Sequence, residues 1–249
     1  MKRFEGRTIV VTGAASGIGR ASAERIAGEG GFIWAVDRNA DGLAETVESI
    51  RKAGGEATAH VCDLGDAAQI AATVAAVVEQ RGTLHALCNV AGILRADHSH
   101  EIKLEAWETV LRVNLTGTFL MCQAAIPHLL KTKGAIVNTS SSAALGGHPW
   151  MTAYAASKGG ILSMTRSLAC EYGPQGLRVN TVVPGAIITP IHGGFRMPKG
   201  ADAELIRRII PTVPYGQPEQ VAGAIAFFAS DDANYCNGSE LRVDGGMMS

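Results

Sequence analysis

The segment Thr8-Ile9-Val10-Val11-Thr12-Gly13-Ala14-Ala15-Ser16-Gly17-Ile18-Gly19 decides how the rest of the chain is read. Its first half is a short apolar, β-branched run, as in a strand buried on both faces. Its second half is rich in glycine and opens a helix-length stretch from Gly17 to Glu29. A strand that turns directly into a helix leaves the first helical N–H groups free at the turn, and glycine lets a ligand come close to the backbone there. The same alternation repeats along the chain. Strands are expected at 32–36, 57–61, 85–89, 135–137, 177–183 and 241–243, and helices at 40–53, 105–131, 152–172 and 219–229. Between the third and fourth strands, Asp66 with Gln69 three residues on reads as a capping box, and Gly82 as the stop of that helix. Apolar strands alternating with helices predict an α/β fold, a parallel sheet covered on both faces. No composition break, linker or repeat divides the chain, so one domain over residues 1–249 is expected.

Composition narrows the partners. Average usage would give a chain of this length roughly seventeen glycines, and it has 30 in 249 residues. With 47% hydrophobic and 18% charged residues it is neither disordered nor collagen-like. A formal net charge of −1 leaves no basic footprint for nucleic acid or an anionic membrane surface. No apolar run approaches the length of a membrane span, and Met1-Lys2-Arg3-Phe4-Glu5-Gly6 carries no apolar core of a signal peptide. Cys62, Cys88, Cys122, Cys170 and Cys236 are odd in number and never spaced C-x-x-C, so neither disulfides nor a metal site are expected, and a cytoplasmic setting is.

The glycine-rich turn has the physics of a dinucleotide site, a pyrophosphate resting on a helix N-terminus. Its spacing is G-x-x-x-G-x-G, not G-x-G-x-x-G. Asp37 strengthens the reading: it ends the second strand, 24 residues after Gly13, where a carboxylate bonds the adenine-ribose hydroxyls. A 2′-phosphate would meet that carboxylate. Like unit charges 4 Å apart cost on the order of 4 kcal/mol at an effective dielectric of about 20. Arg38 offsets part of this repulsion and Ser16 adds no positive charge, so NAD is favoured over NADP.

Tyr154-Ala155-Ala156-Ser157-Lys158 places a tyrosine and a lysine at i and i+4 of one expected helix, hence on the same face. A free tyrosine titrates near pH 10, and bringing it to 7 takes about 4 kcal/mol of preference for the phenolate. A neighbouring ammonium supplies part of that. Together with the Gly-rich turn, Asn89-Val90-Ala91-Gly92, Asn114, Ser141, Pro184-Gly185 and Val243-Asp244-Gly245-Gly246, this motif makes the chain resemble the short-chain dehydrogenase/reductase family over essentially its whole length. The resemblance implies a Rossmann-type doubly wound sheet of about seven strands and a homotetramer. It also implies hydride transfer between a nicotinamide and a secondary alcohol or ketone. Tyr154 is then the general acid/base, and Lys158 lowers its pKa and holds the nicotinamide ribose. Ser141, thirteen residues before the tyrosine, orients the substrate oxygen, and Asn114 supports a proton relay. Cofactor contacts are implied for Gly13, Ser16, Gly17, Ile18 and Gly19 in the turn, and for Asp37 and Arg38 after the second strand. Further along the chain they are implied for Asp63, Leu64, Asn89, Ala91, Gly92, Pro184, Gly185, Ile187 and Thr189. Val90 departs from the second asparagine often found there.

For the substrate, segments 92–100, 145–151 and 186–215 offer Leu145, His148, Trp150, Met151, Ile188, Ile191, Phe195 and Met197. That mostly apolar set favours a neutral, moderately hydrophobic alcohol or ketone. Segment 186–215, with Gly193, Gly194 and Gly200, has the composition of a lid, and Arg95, His98 and His100 are solvated loop residues or substrate contacts. Two other readings are carried: an NADPH-dependent 3-oxoacyl-(acyl-carrier-protein) reductase, and a non-catalytic NAD-binding regulatory protein. Gln175 stands where the former typically has an arginine, and the latter has no need to keep Ser141, Tyr154, Lys158 and Asn114 together.

Overall fold

The computed structural model describes residues 2–249; of residues 192, 194 and 208 only the chain path is described, so a lid role for Gly194 lies outside the described residues. Seven parallel strands form one sheet in the order β3-β2-β1-β4-β5-β6-β7. They are β1 Thr8–Thr12, β2 Phe32–Asp37, β3 Glu56–Val61, β4 Ala86–Asn89, β5 Ala135–Thr139, β6 Arg178–Pro184 and β7 Glu240–Val243. The helices are α1 Gly17–Gly28, α2 Ala40–Lys52, α3 Ala67–Arg81, α4 Leu104–Leu111, α5 Gly117–Thr132, α6 Thr152–Tyr172 and α7 Pro218–Ala229. The expected α/β architecture and its strand count hold, with element ends shifting by a residue or two.

Residues of β1 alternate between two cores. Ile9 and Val11 pack with Ile26 of α1 and Val221 and Ile225 of α7, while Val10 packs with Val74 of α3 and Met121 and Leu129 of α5. Both faces are apolar, which is why the strands read as unbroken hydrophobic runs. Each such fully buried aliphatic side chain is worth about 1.5–3 kcal/mol. The strand order reverses between β1 and β4, and their C-terminal ends diverge there into a crevice.

Two local expectations are corrected. The helix expected over 105–131 is broken by a π turn at Arg112–Thr116. Asn114 sits in it with its carboxamide clamped to Ile93, Oδ1 accepting from the Ile93 N–H at 2.8 Å and Nδ2 donating to the Ile93 carbonyl at 2.9 Å. A third bond from Nδ2 reaches Ser157 Oγ at 3.1 Å. A wide turn lets this side chain enter the core where a regular helix would not. At α3, Asp66 caps the N–H groups of Ala68 and Gln69 as expected, but the Gln69 side-chain oxygen accepts from Asp63 N at 2.9 Å and not from Asp66. The box is therefore stretched into the loop after β3.

Candidate active site

The crevice begins at the β1–α1 turn. Gly13 has φ +72°, and a Cβ there would stand 2.9 Å from the Ala91 backbone. A Cβ at Gly19 would run into the carbonyl of Gly13. These contacts press the turn against the end of β4 and leave room only for backbone. Ser16 precedes α1 without a side-chain cap bond, so its side chain leaves the first N–H groups of the helix free toward the cleft. Asp37 and Arg38 close one end, and Gly92 lies at the other. Asp37 is held by the turn itself, its Oδ2 accepting from Ala15 N at 3.2 Å and its Oδ1 from Asn39 N at 3.0 Å. Asp63, Leu64, Ala91 and Thr189 complete the walls. A backbone cradle at a helix start with a carboxylate at its far end fits a dinucleotide.

Gly92 joins this cleft to the polar centre. A Cβ there would meet Asn114 Oδ1 at 3.3 Å and Lys158 Nζ at 3.4 Å. Lys158 is buried and donates to the Thr139 carbonyl at the end of β5, 2.8 Å away. Its Nζ lies 5.7 Å from the centre of the Tyr154 ring. Ser140 Oγ ties α6 to the end of β5 by donating to the Lys158 carbonyl at 2.8 Å, and within the helix Ser157 Oγ donates to the Tyr154 carbonyl at 2.7 Å. Trp150, at φ +64°, turns the chain sharply into α6. A large side chain in this backbone region costs on the order of 1–3 kcal/mol.

Beyond Tyr154 lies a second pocket, entered from segments 185–215 and the C-terminal tail. Ser141, Ser142, His148, Tyr154 and Tyr215 bring polar side chains to its lining, and Leu94, Phe195 and Met247 are among its apolar walls. The tail is turned back by Asp244, which accepts from the N–H groups of Gly246 and Met248, both at 3.1 Å.

Comparison with known proteins names this arrangement. The family model described as enoyl-(acyl carrier protein) reductase matches residues 13–248. The chain is 41% identical to D-threitol dehydrogenase of Mycolicibacterium smegmatis over 98% of its own length and 94% of the relative's. It is 38% identical to a 3-oxoacyl-(acyl-carrier-protein) reductase of Thermotoga maritima, over 99% of both chains. The structure of a short chain dehydrogenase from Mycobacterium paratuberculosis bound to NAD superposes with a TM-score of 0.91 at 30% identity, over 98% of each chain. The chain belongs to the short-chain dehydrogenase/reductase family. As a member it is an oxidoreductase of alcohol and ketone groups that works with a nicotinamide dinucleotide.

In this short-chain dehydrogenase the residues singled out in the sequence fall into four groups. Gly13, Ser16, Gly17, Ile18, Gly19, Asp37, Arg38, Asp63, Leu64, Ala91, Gly92 and Thr189 all line the first cleft, and Ser141, Tyr154 and Gly185 line the second pocket. Lys158 and Asn114 lie beneath the junction. Asn89, Pro184 and Ile187 are buried outside both linings. The Asn89 carboxamide turns into the sheet and donates to Asn138 Oδ1 at 2.9 Å, leaving its own buried oxygen without a partner. Val90, Ile93 and Ile191 also line the first cleft, none of them among the cofactor contacts expected above.

The electrostatics differ from expectation. Burial pushes the Tyr154 phenol up, and the group that pulls it back is the Ser141 hydroxyl, not Lys158. Burial also pushes the Lys158 ammonium down to about 8. Lys158 donates to the Thr139 carbonyl and sits beside the Tyr154 ring.

In the substrate loops, His148, Met151 and Phe195 reach the second pocket. Leu145, Ile188 and Met197 face solvent, and Ile191 belongs to the nucleotide cleft. Leu94, Ile206, Ile209, Tyr215 and Met247 join the pocket instead. Apolar composition marks a loop residue as able to line a pocket but gives it no direction, which accounts for the exchange. Arg95 pairs with Asp97 at 2.8 Å, and His98 Nε2 donates to the Lys199 carbonyl at 3.1 Å, tying loop 92–100 to the segment over the pocket. Among the described residues, no group of His, Cys, Asp or Glu gathers as metal ligands, and no helix is long and apolar enough to cross a membrane.

Proposed function

We propose that this protein transfers a hydride between NAD and a small secondary alcohol or ketone, using Ser141, Tyr154 and Lys158. The observation that carries the reading is the shared wall: Tyr154 and Ser141 face the second pocket, while Lys158 sits under Gly92, which lines the dinucleotide cleft. A bound nicotinamide supplies the hydride acceptor or donor and, when oxidised, a positive charge. Ser141 donates to the substrate oxygen and fixes its direction. Tyr154 removes the alcohol proton during oxidation and returns it during reduction. Lys158 holds the ribose side and adds positive charge near the phenol. Asn114, clamped by Ile93 and Ser157, fixes the turn that faces Lys158 and so positions a proton path to solvent.

The preference for NAD rests on Asp37, whose carboxylate is anchored by two backbone N–H groups and cannot swing away from a 2′-phosphate without losing both. Arg38 is exposed. Segment 186–215 acts as the lid over the substrate, latched in part by the His98–Lys199 bond. The test is cofactor reduction by the purified protein with a panel of secondary alcohols, run with NAD and with NADP. The reading expects turnover of cyclic alcohols with NAD as the better cofactor. No turnover with any alcohol, or better turnover with NADP, would overturn it.

A further inference from the structure

Three consecutive residues of loop 92–100 reach two different parts of the molecule. The Asp97 N–H donates to the Trp150 carbonyl at 2.9 Å, and Ser99 Oγ lies 2.5 Å from Thr152 Oγ1. Between them, His98 Nε2 donates to the Lys199 carbonyl at 3.1 Å. Asp97 and Ser99 thus hold the start of α6, which begins at Thr152, two residues before Tyr154, while His98 holds segment 186–215. The loop is braced from within: Arg95 pairs with the Asp97 carboxylate at 2.8 Å, and the Glu101 N–H donates to the His98 carbonyl at 2.9 Å.

Both ends lead to the phenol. Lys199 lies in a tight turn closed by the Ala201 N–H, which donates to the Pro198 carbonyl at 3.1 Å. Phe195 before this turn and Ile209 after it pack against the cluster of Ala143, Met151 and Tyr154. At the other end, Trp150 is buried with φ +64°. Such a backbone persists only where its surroundings over-determine it, and the bond from Asp97 is one of the constraints on it. We propose that Asp97-His98-Ser99 is a strap that couples closure of segment 186–215 to the seating of Tyr154, with His98 and Ser99 as positioning residues for proton transfer. This coupling rests on the alcohol oxidation and the lid proposed above. When the segment closes, the Lys199 carbonyl meets His98, and the braced loop holds Trp150 and Thr152 so that the first turn of α6 presents the phenol. The coupling is reciprocal: whatever seats the start of α6 also favours the closed segment.

The experiment cuts one end of the strap and reads the other. Ser99→Ala releases α6 and leaves the His98–Lys199 bond, yet hydrogen–deuterium exchange of residues 196–205 in the chain without ligand should speed up by about threefold to tenfold. His98→Ala releases the segment and leaves Ser99 on Thr152. The single-turnover rate of NADH formation from cyclohexanol by the NAD-loaded enzyme should nevertheless fall by about threefold to tenfold. Ser99→Thr, which keeps the hydroxyl, should stay within about twofold of wild type in both readouts. The double variant of Ser99→Ala and His98→Ala should be no worse in either readout than the more affected single variant. Three results would overturn the strap: effects confined to the end that each side chain touches, effects that multiply in the double variant, or an equal rise in exchange over β1, the mark of a generally loosened molecule. No oxidation of cyclohexanol or any other secondary alcohol by wild type would instead overturn the function on which the strap rests, and exchange of residues 196–205 would still decide whether its two ends are joined.

Discussion

A Cβ at Gly19 would collide with the Gly13 carbonyl, and a Cβ at Gly146 would collide with the end of the Met248 side chain. The obstacle at Gly19 is backbone in a turn pinned between β1, α1 and β4. The obstacle at Gly146 is the tip of a flexible side chain on the C-terminal tail, and such a tip can move at small cost. The same contrast runs through the whole crevice. Its nucleotide half is built from backbone and strand ends, fixed by the sheet. Its substrate half is built from loop side chains and the tail, fixed only by their own packing. A shared cofactor is served by the first and a particular substrate by the second.

The contrast can be broken at several points. Gly19→Ala should abolish measurable NADH binding and lower stability by about 3 kcal/mol, read by fluorescence titration and thermal unfolding. Retained binding would show that the turn is softer than its contacts imply. Ser141→Ala should lower kcat by about a hundredfold. Because the Ser141 hydroxyl favours the ionised phenol, its loss leaves Tyr154 harder to deprotonate, and the rising limb of alcohol oxidation moves to higher pH. An unmoved limb would mean that another group sets the phenol. Asp37→Ala should lower the NAD-to-NADP ratio of kcat/KM by at least about tenfold, from the lost charge repulsion. At the soft end, Gly146→Ala should cost no more than about 1 kcal/mol and change kcat/KM by only about twofold. A large loss there would show that the tail is as rigid as the turn.

The rigid half is also the half that was legible in the sequence. Unbroken runs such as Ile9-Val10-Val11 could only be strands buried on both faces, and that fixed the sheet and the place of the crevice. Tyr154 and Lys158 were singled out by the family resemblance, and helical spacing puts them on one face of a helix that spans Thr152–Tyr172 as read. The π turn at Arg112–Thr116 was not legible, because the apolar pattern runs through it and its cause, the Asn114 clamp on Ile93, is a contact 21 residues away in sequence. The pocket walls failed for a related reason. Met247 lines the pocket because Asp244 turns the tail, and Ile188 and Met197 miss it although their composition is equally apolar. The direction of the Tyr154 shift was not legible either, because spacing places a lysine nearby but carries no measure of burial.

The account stands most directly on Tyr154. Tyr154→Phe keeps the ring in its pocket and removes only the group that exchanges the proton. NAD-linked oxidation of a secondary alcohol accepted by the wild type should fall by about a thousandfold or more in kcat, with NADH affinity unchanged within about twofold. Turnover within about tenfold of wild type, with the cofactor bound as tightly, would contradict it.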